Sequence, residues 1–117
     1  MILLMLLLTL QEIAAHLLKM KGNKVYADGN YADAKSAYSE AIALTPQAAF
    51  FTNRAACYVE ERKWRKVVED CDRALTLDPR WVRAFERKAS VLIELQKYDE
   101  ALSVAEAGLS LATNKEA

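Results

Sequence analysis

Lys19 and Asn23 stand four residues apart, Arg83 and Arg87 do the same, and Asn53 lies between the two pairs in the chain. On helices, a separation of four puts both side chains on one face about a turn apart. Lysine and arginine give carboxylates charge-assisted hydrogen bonds, and an asparagine amide donates without demanding a counter-ion. The set therefore suits an acidic ligand, and two carboxylates on adjacent atoms would satisfy it better than one. Its chemistry is recognition without bond-making.

The other reactive side chains do not assemble into a catalyst. The single histidine, His16, has no Ser, Cys or Asp at a catalytic spacing and reads as a surface or interface residue. Two cysteines and one histidine cannot build the usual thiolate and imidazole metal sites, so Cys57 and Cys71 are expected to be buried, reduced packing residues. Trp64 and Trp81 read as packing wedges, not as platforms for bases. No nucleophile, base and orienter can be named together, so no catalytic residue, metal or cofactor is expected.

The elements that position the five residues follow from composition and period. A chain of 117 residues suits one domain, and 53% apolar residues with only three glycines and two prolines suit helices stacked on helices. Sixteen basic against sixteen acidic side chains leave no net field to draw in nucleic acid. Aromatic residues recur at Tyr31, Trp64 and Tyr98, spaced 33 and 34 residues apart. Small residues keep that period at Gly22, Ala55 and Ala89, and again at Ala41, Ala74 and Gly108, while Leu18, Phe51 and Phe85 form a large apolar column. Such a period means stacked helical pairs. Within each repeat, apolar residues at three- and four-residue intervals predict two helices, and Pro46 and Pro79 mark helix ends. The small columns let helix axes approach to about 8–10 Å.

These columns resemble tetratricopeptide repeats, and the resemblance covers roughly Ala15 to Leu111. It implies an all-α fold of three helix-turn-helix repeats in a right-handed superhelix, with the first helix of each pair lining a concave groove. The departures are Val67 in an alanine column, Cys71 and Ala105 in the column of Tyr38, and Thr113 in place of a proline. The expected organisation is an apolar extension over 1–14, repeats over 15–47, 48–81 and 82–111, and a short polar tail over 112–117. By our count, the first helices carry seven basic and four acidic residues, and the second helices four and eight. A neutral chain is thus expected to present a basic groove, with the acidic run at Glu69, Asp70 and Asp72 as a solvated face.

Three segments sharpen the resemblance: 18–24, 52–58 and 83–89 are similar to the clamp segments of co-chaperone tetratricopeptide domains. Those domains hold the C-terminal tails, ending Glu-Glu-Val-Asp, of heat-shock chaperones of the 70 and 90 kDa classes. The resemblance implies that Lys19, Asn23 and Asn53 grip the terminal α-carboxylate and the Asp end, that Arg83 reaches the Asp side chain, and that Arg87 holds a carboxylate or carbonyl slightly upstream. Arg83 stands where lysine is common in the family. The implied module is a cytoplasmic, non-catalytic adaptor; the alternative is a generic repeat scaffold that binds a protein surface or self-associates through uncapped ends.

Both ends carry separate expectations. Met1 to Leu10 is almost wholly apolar, interrupted by Gln11 and Glu12. This run is shorter than the ~20 residues that span a bilayer, which leaves membrane association, a signal function and self-association open. Only six residues follow Leu111, so the apolar face of the last repeat is expected to lack a polar capping helix.

Overall fold

The computed structural model describes residues 1–114 and contains six helices: α1 (Ile2–Ala27), α2 (Tyr31–Leu44), α3 (Ala48–Glu60), α4 (Trp64–Leu77), α5 (Val82–Glu94) and α6 (Tyr98–Thr113). The same turn joins the two helices of each pair. Gly29, Arg62 and Gln96 each adopt a left-handed backbone, with φ of 81°, 57° and 60°. The next residue's amide then reaches back five residues, from Asn30 to Val25, Lys63 to Tyr58 and Lys97 to Leu92, at 2.8–2.9 Å. This closes the exposed carbonyls of the first helix and reverses the chain. Only the first turn uses glycine; Arg62 and Gln96 hold the strained conformation without it. On the far side of the first turn, Asn30 Oδ1 accepts from the Asp33 amide and caps α2.

Packing then gives the stack its curvature. Each helix packs on its hairpin partner, α2 packs on α3 and α4 on α5, while α1 also touches α3 and α3 touches α5. The second helices do not touch one another among the described residues. The stack therefore bends with α1, α3 and α5 on the inside. Its crossings are built on alanine: Ala15, Ala34, Ala41, Ala55, Ala74 and Ala84 are wholly buried. Where even a methyl is too large, glycine stands. A Cβ at Gly22 would lie 2.6 Å from the Tyr38 ring, and one at Gly108 would lie 2.7 Å from Phe85 Cβ.

The central repeat is tied together by polar groups as well. Asp70 is 2% exposed and receives both Nε and Nη2 of Arg54 at 2.8 Å, while Arg54 Nη1 donates to Ser39. Asp70 is thus an internal brace between α3 and α4, which corrects the expectation of a wholly solvated acidic face. Asp72 stays exposed and pairs with Lys88 at 2.8 Å, linking α4 to α5. Trp64 and Trp81 pack against the central cluster, and Trp81 Nε1 donates to the buried Thr52 hydroxyl. Cys57 and Cys71 are free, buried thiols in different clusters.

The two ends depart from the rest. The apolar run is helical: α1 begins at Ile2 and continues without a break into the first repeat. By length and composition α1 could cross a membrane, since an 18-residue stretch of it has a mean hydropathy of 1.7, which the ten-residue run alone could not. His16 is exposed on this helix. At the other end α6 continues through Thr113, two residues into the stretch expected as tail, and residues 115–117 of that stretch lie outside the described residues. Leu102 and Leu109 on α6 are more than half exposed.

Two outcomes follow from this core. Ala55→Leu inserts three heavy atoms at a crossing with no spare volume and should destabilise the chain by about 1–3 kcal/mol in urea unfolding. Burial pushes the Cys57 thiol up to about 11 and the Cys71 thiol up to about 12, from an ordinary 9.0. Folding favours the neutral thiols, so their contribution is intact below pH 9 and fades as pH rises through 11 and 12. The urea midpoint should therefore lose this contribution as pH is raised above 9, and thiol reagents should react only as fast as the chain opens.

Candidate carboxylate-binding groove

The five residues fall on the three inner helices. Lys19 and Asn23 lie on α1, Asn53 on α3, and Arg83 and Arg87 on α5. Because α3 touches both α1 and α5, the three helices form one continuous inner surface with Asn53 on its middle strip. Asn23 and Arg83 are exposed, and Lys19, Asn53 and Arg87 are half-buried.

Asn23 is held by a residue that the charge pattern does not reveal. The Tyr38 hydroxyl donates to Asn23 Oδ1 at 2.6 Å, which leaves the Asn23 amide nitrogen to donate elsewhere. Tyr38 is 2% exposed, and burial pushes its hydroxyl up to about 12, so it remains a donor at neutral pH. Its ring occupies the space that a side chain at Gly22 would need. The departure in the Tyr38 column now has a reason. Ala56 and Ser90 take the place of Asn23 in the later repeats, so those repeats have no amide for a tyrosine to orient, and Cys71 and Ala105 occupy its column. The available signal was the coincidence of a glycine, an asparagine and a buried-column tyrosine in one repeat alone.

Arg87 sits at the electrostatic centre of the inner surface. Its charge is a small influence on Tyr38, yet it is felt by Tyr26 on α1, Tyr38 on α2, Cys57 on α3 and Cys71 on α4, favouring the anion at each. Arg87 Nε is buried and has no hydrogen-bond partner among the described residues. Beside it opens a pocket lined by Val59, Trp64, Glu86, Ser90, Val91 and Glu94.

The cations of the first helices divide into two groups. Arg54 and Lys88 are turned toward α4, where Asp70 and Asp72 neutralise them. Lys19, Arg83 and Arg87 make no ion pair among the described residues. Lys21 lines a recess with Asp33 and Glu40 between α1 and α2. The count by helix therefore overstated the charge facing the groove, and the cations left without acidic partners include the three proposed from spacing. Among the described residues, no group of acids, cysteines and histidine could hold a metal ion.

Comparison with known proteins agrees with this architecture. A tetratricopeptide-repeat family model matches residues 82–115. The human mitochondrial import receptor subunit TOM70 is 38% identical over 90 residues, covering 72% of this chain and 15% of that protein. The Hsp70/Hsp90 co-chaperone CNS1 of Saccharomyces cerevisiae is 34% identical over 99 residues, covering 80% of this chain and 26% of that protein. This chain thus spans about a quarter or less of these two relatives. Among solved structures, the second TPR of Spaghetti (RPAP3), bound to the HSP90 peptide SRMEEVD, superposes with a TM-score of 0.84 at 30% identity, over 89% of this chain and 96% of that one. With its six helices in three stacked hairpins, the chain belongs to the tetratricopeptide-repeat family.

Proposed function

We propose that the inner surface is a carboxylate clamp for the free C-terminus of an acidic peptide, and that the chain serves as a non-catalytic adaptor for heat-shock chaperones of the 70 and 90 kDa classes. The observation that carries this reading is Arg87, a half-buried guanidinium with an unpartnered Nε on an inner surface that also presents Lys19 and Arg83 without acidic partners. A buried guanidinium nitrogen left without a partner is costly to keep unless a ligand satisfies it. The likeness to a domain bound to SRMEEVD supports a Glu-Glu-Val-Asp ending as that ligand.

In the proposed complex, Lys19, Asn23 and Asn53 hold the terminal α-carboxylate and the Asp end. Asn23 is pre-oriented by Tyr38, so little freedom is lost on binding. Arg83 reaches the Asp side chain, and its planar fork offers two parallel hydrogen bonds where lysine would offer a point charge. Arg87 holds a carboxylate or carbonyl one step upstream. This is capture of a chain end by charge and extended backbone. The grip is open to solvent at Asn23 and Arg83, so affinity falls as salt rises. The groove must share a compartment with the chaperone tails, which assigns the repeats to the cytoplasmic side.

Titration calorimetry with a peptide ending Glu-Glu-Val-Asp, as free acid and as C-terminal amide, tests the clamp. The free acid should bind at least about tenfold more tightly, and Arg87→Ala or Asn53→Ala should remove most of that difference, since each deletes a hydrogen bond to a charged group worth about 1.5–3 kcal/mol. Equal binding of acid and amide, or unchanged binding by both variants, would sink the proposal. Tyr38→Phe deletes the bond that orients Asn23 while keeping the ring on Gly22. It should cost about 1 kcal/mol of stability and weaken the free-acid peptide several-fold while leaving the amide almost unaffected.

A further inference from the structure

The first nine residues of α1 are explained neither by the groove nor by the core. From Ile2 to Leu10 every large side chain is between 50% and 80% exposed, and the first residue of α1 that is fully buried is Ala15. Eight of these nine residues are large and apolar. Successive residues of a helix are turned by about 100°, so the run is apolar around its whole circumference and not along one stripe. A soluble monomer leaves only a few hundred Å² of contiguous apolar surface in water.

We infer that Ile2–Leu10 inserts into the acyl-chain region of a lipid bilayer and anchors the repeats at a membrane surface. A helix apolar on all sides needs an apolar surrounding on all sides, which lipid provides. A second copy of this chain, docked along the segment, would cover one stripe and leave the rest in water. The one polar side chain in the segment is already satisfied, because the Thr9 hydroxyl donates to the Met5 carbonyl at 3.0 Å. No ionisable side chain occurs before Glu12, which is exposed and marks the level of the headgroups.

Length sets the depth. Nine residues at 1.5 Å each make a rod of ~14 Å, which fits within one leaflet of a ~30 Å hydrocarbon core at any tilt. Ile2–Leu10 is therefore long enough to embed in one leaflet. Since α1 is unbroken from Ile2 to Ala27, the anchor and the groove share one rigid helix, and Lys19 follows Leu10 by ~14 Å along the axis. Anchoring by apolar burial also predicts a binding that ignores salt and lipid charge, unlike that of the groove.

The test is flotation of the full chain with neutral phosphatidylcholine vesicles at low and high salt. The chain should float with the vesicles under both conditions. Glutamate placed in turn at Leu3, Leu4, Met5 and Leu6 samples the circumference at nearly one depth, and each substitution should reduce partitioning by at least about tenfold. These sites are all more than half exposed, and helicity by circular dichroism should stay constant. Failure to float would overturn the anchor. So would sensitivity confined to one or two neighbouring positions, accompanied by lipid-independent oligomers in sedimentation, which is the signature of a second copy on one stripe.

Discussion

At Gly22 the first two helices approach until no Cβ fits, and the position of everything on the inner surface follows from that contact. The Tyr38 ring lies where a side chain at residue 22 would begin. Being pressed there, the ring is buried, its hydroxyl is kept protonated, and its one outlet is Asn23 Oδ1. A packing constraint thereby becomes a binding feature without any additional element. Gly108 against Phe85 repeats the close approach at the other end of the stack, where no amide is available to be oriented. Similar geometry at both ends shows that the contact belongs to the stack, while the use made of it belongs to the first repeat.

Charge follows the same division between back and inside. A net charge of zero describes the whole chain and conceals where the pairs form. Arg54 with Asp70 is nearly dry, bidentate and reinforced by Ser39, so it fixes how α2, α3 and α4 meet. Such a pair gives little net stability against an apolar replacement, since desolvation offsets the attraction; what it supplies is a defined arrangement that fails if either partner is removed. With α4 acids engaged by Arg54 and Lys88, they cannot neutralise Arg87 from behind. Asp70 and Asp72 are thus occupied on the back, while Glu86 and Glu94 line the pocket beside Arg87 without an ion pair to it.

The fold was legible because its period is the period of packing. Residues such as Ala41, Ala74 and Gly108 must be small wherever helices cross, and that requirement recurs with each repeat regardless of surface composition. Features decided by a single distant partner were not legible. Asp70 and Asp72 look equivalent in sequence, and only Arg54, sixteen residues earlier, makes one of them internal. Arg62 and Gln96 carry no mark of their left-handed backbone, because the first repeat alone signals that turn with glycine. The five groove residues were visible through spacing and resemblance, whereas Tyr38 was hidden among aromatic packing residues. Composition separates the two halves of α1, but helix geometry does not.

That continuity gives α1 two kinds of surface with different physical demands. From Ala15 onward one side of the helix is dry against Ala41 and Phe50, and its other side presents Lys19 and Asn23. Before Glu12 no side is covered. Apolar burial is indifferent to ions, whereas a few half-exposed charged contacts weaken in salt. The two surfaces therefore respond to different conditions although one backbone carries both. Because no glycine or proline interrupts Ile2 to Lys21, a force or orientation imposed on the apolar end is transmitted to Lys19 without a hinge. A free chain end captured by such a groove would be held at a fixed height and angle relative to whatever surrounds the apolar segment, and a stack of rigid hairpins is well suited to keep that geometry while its cargo changes.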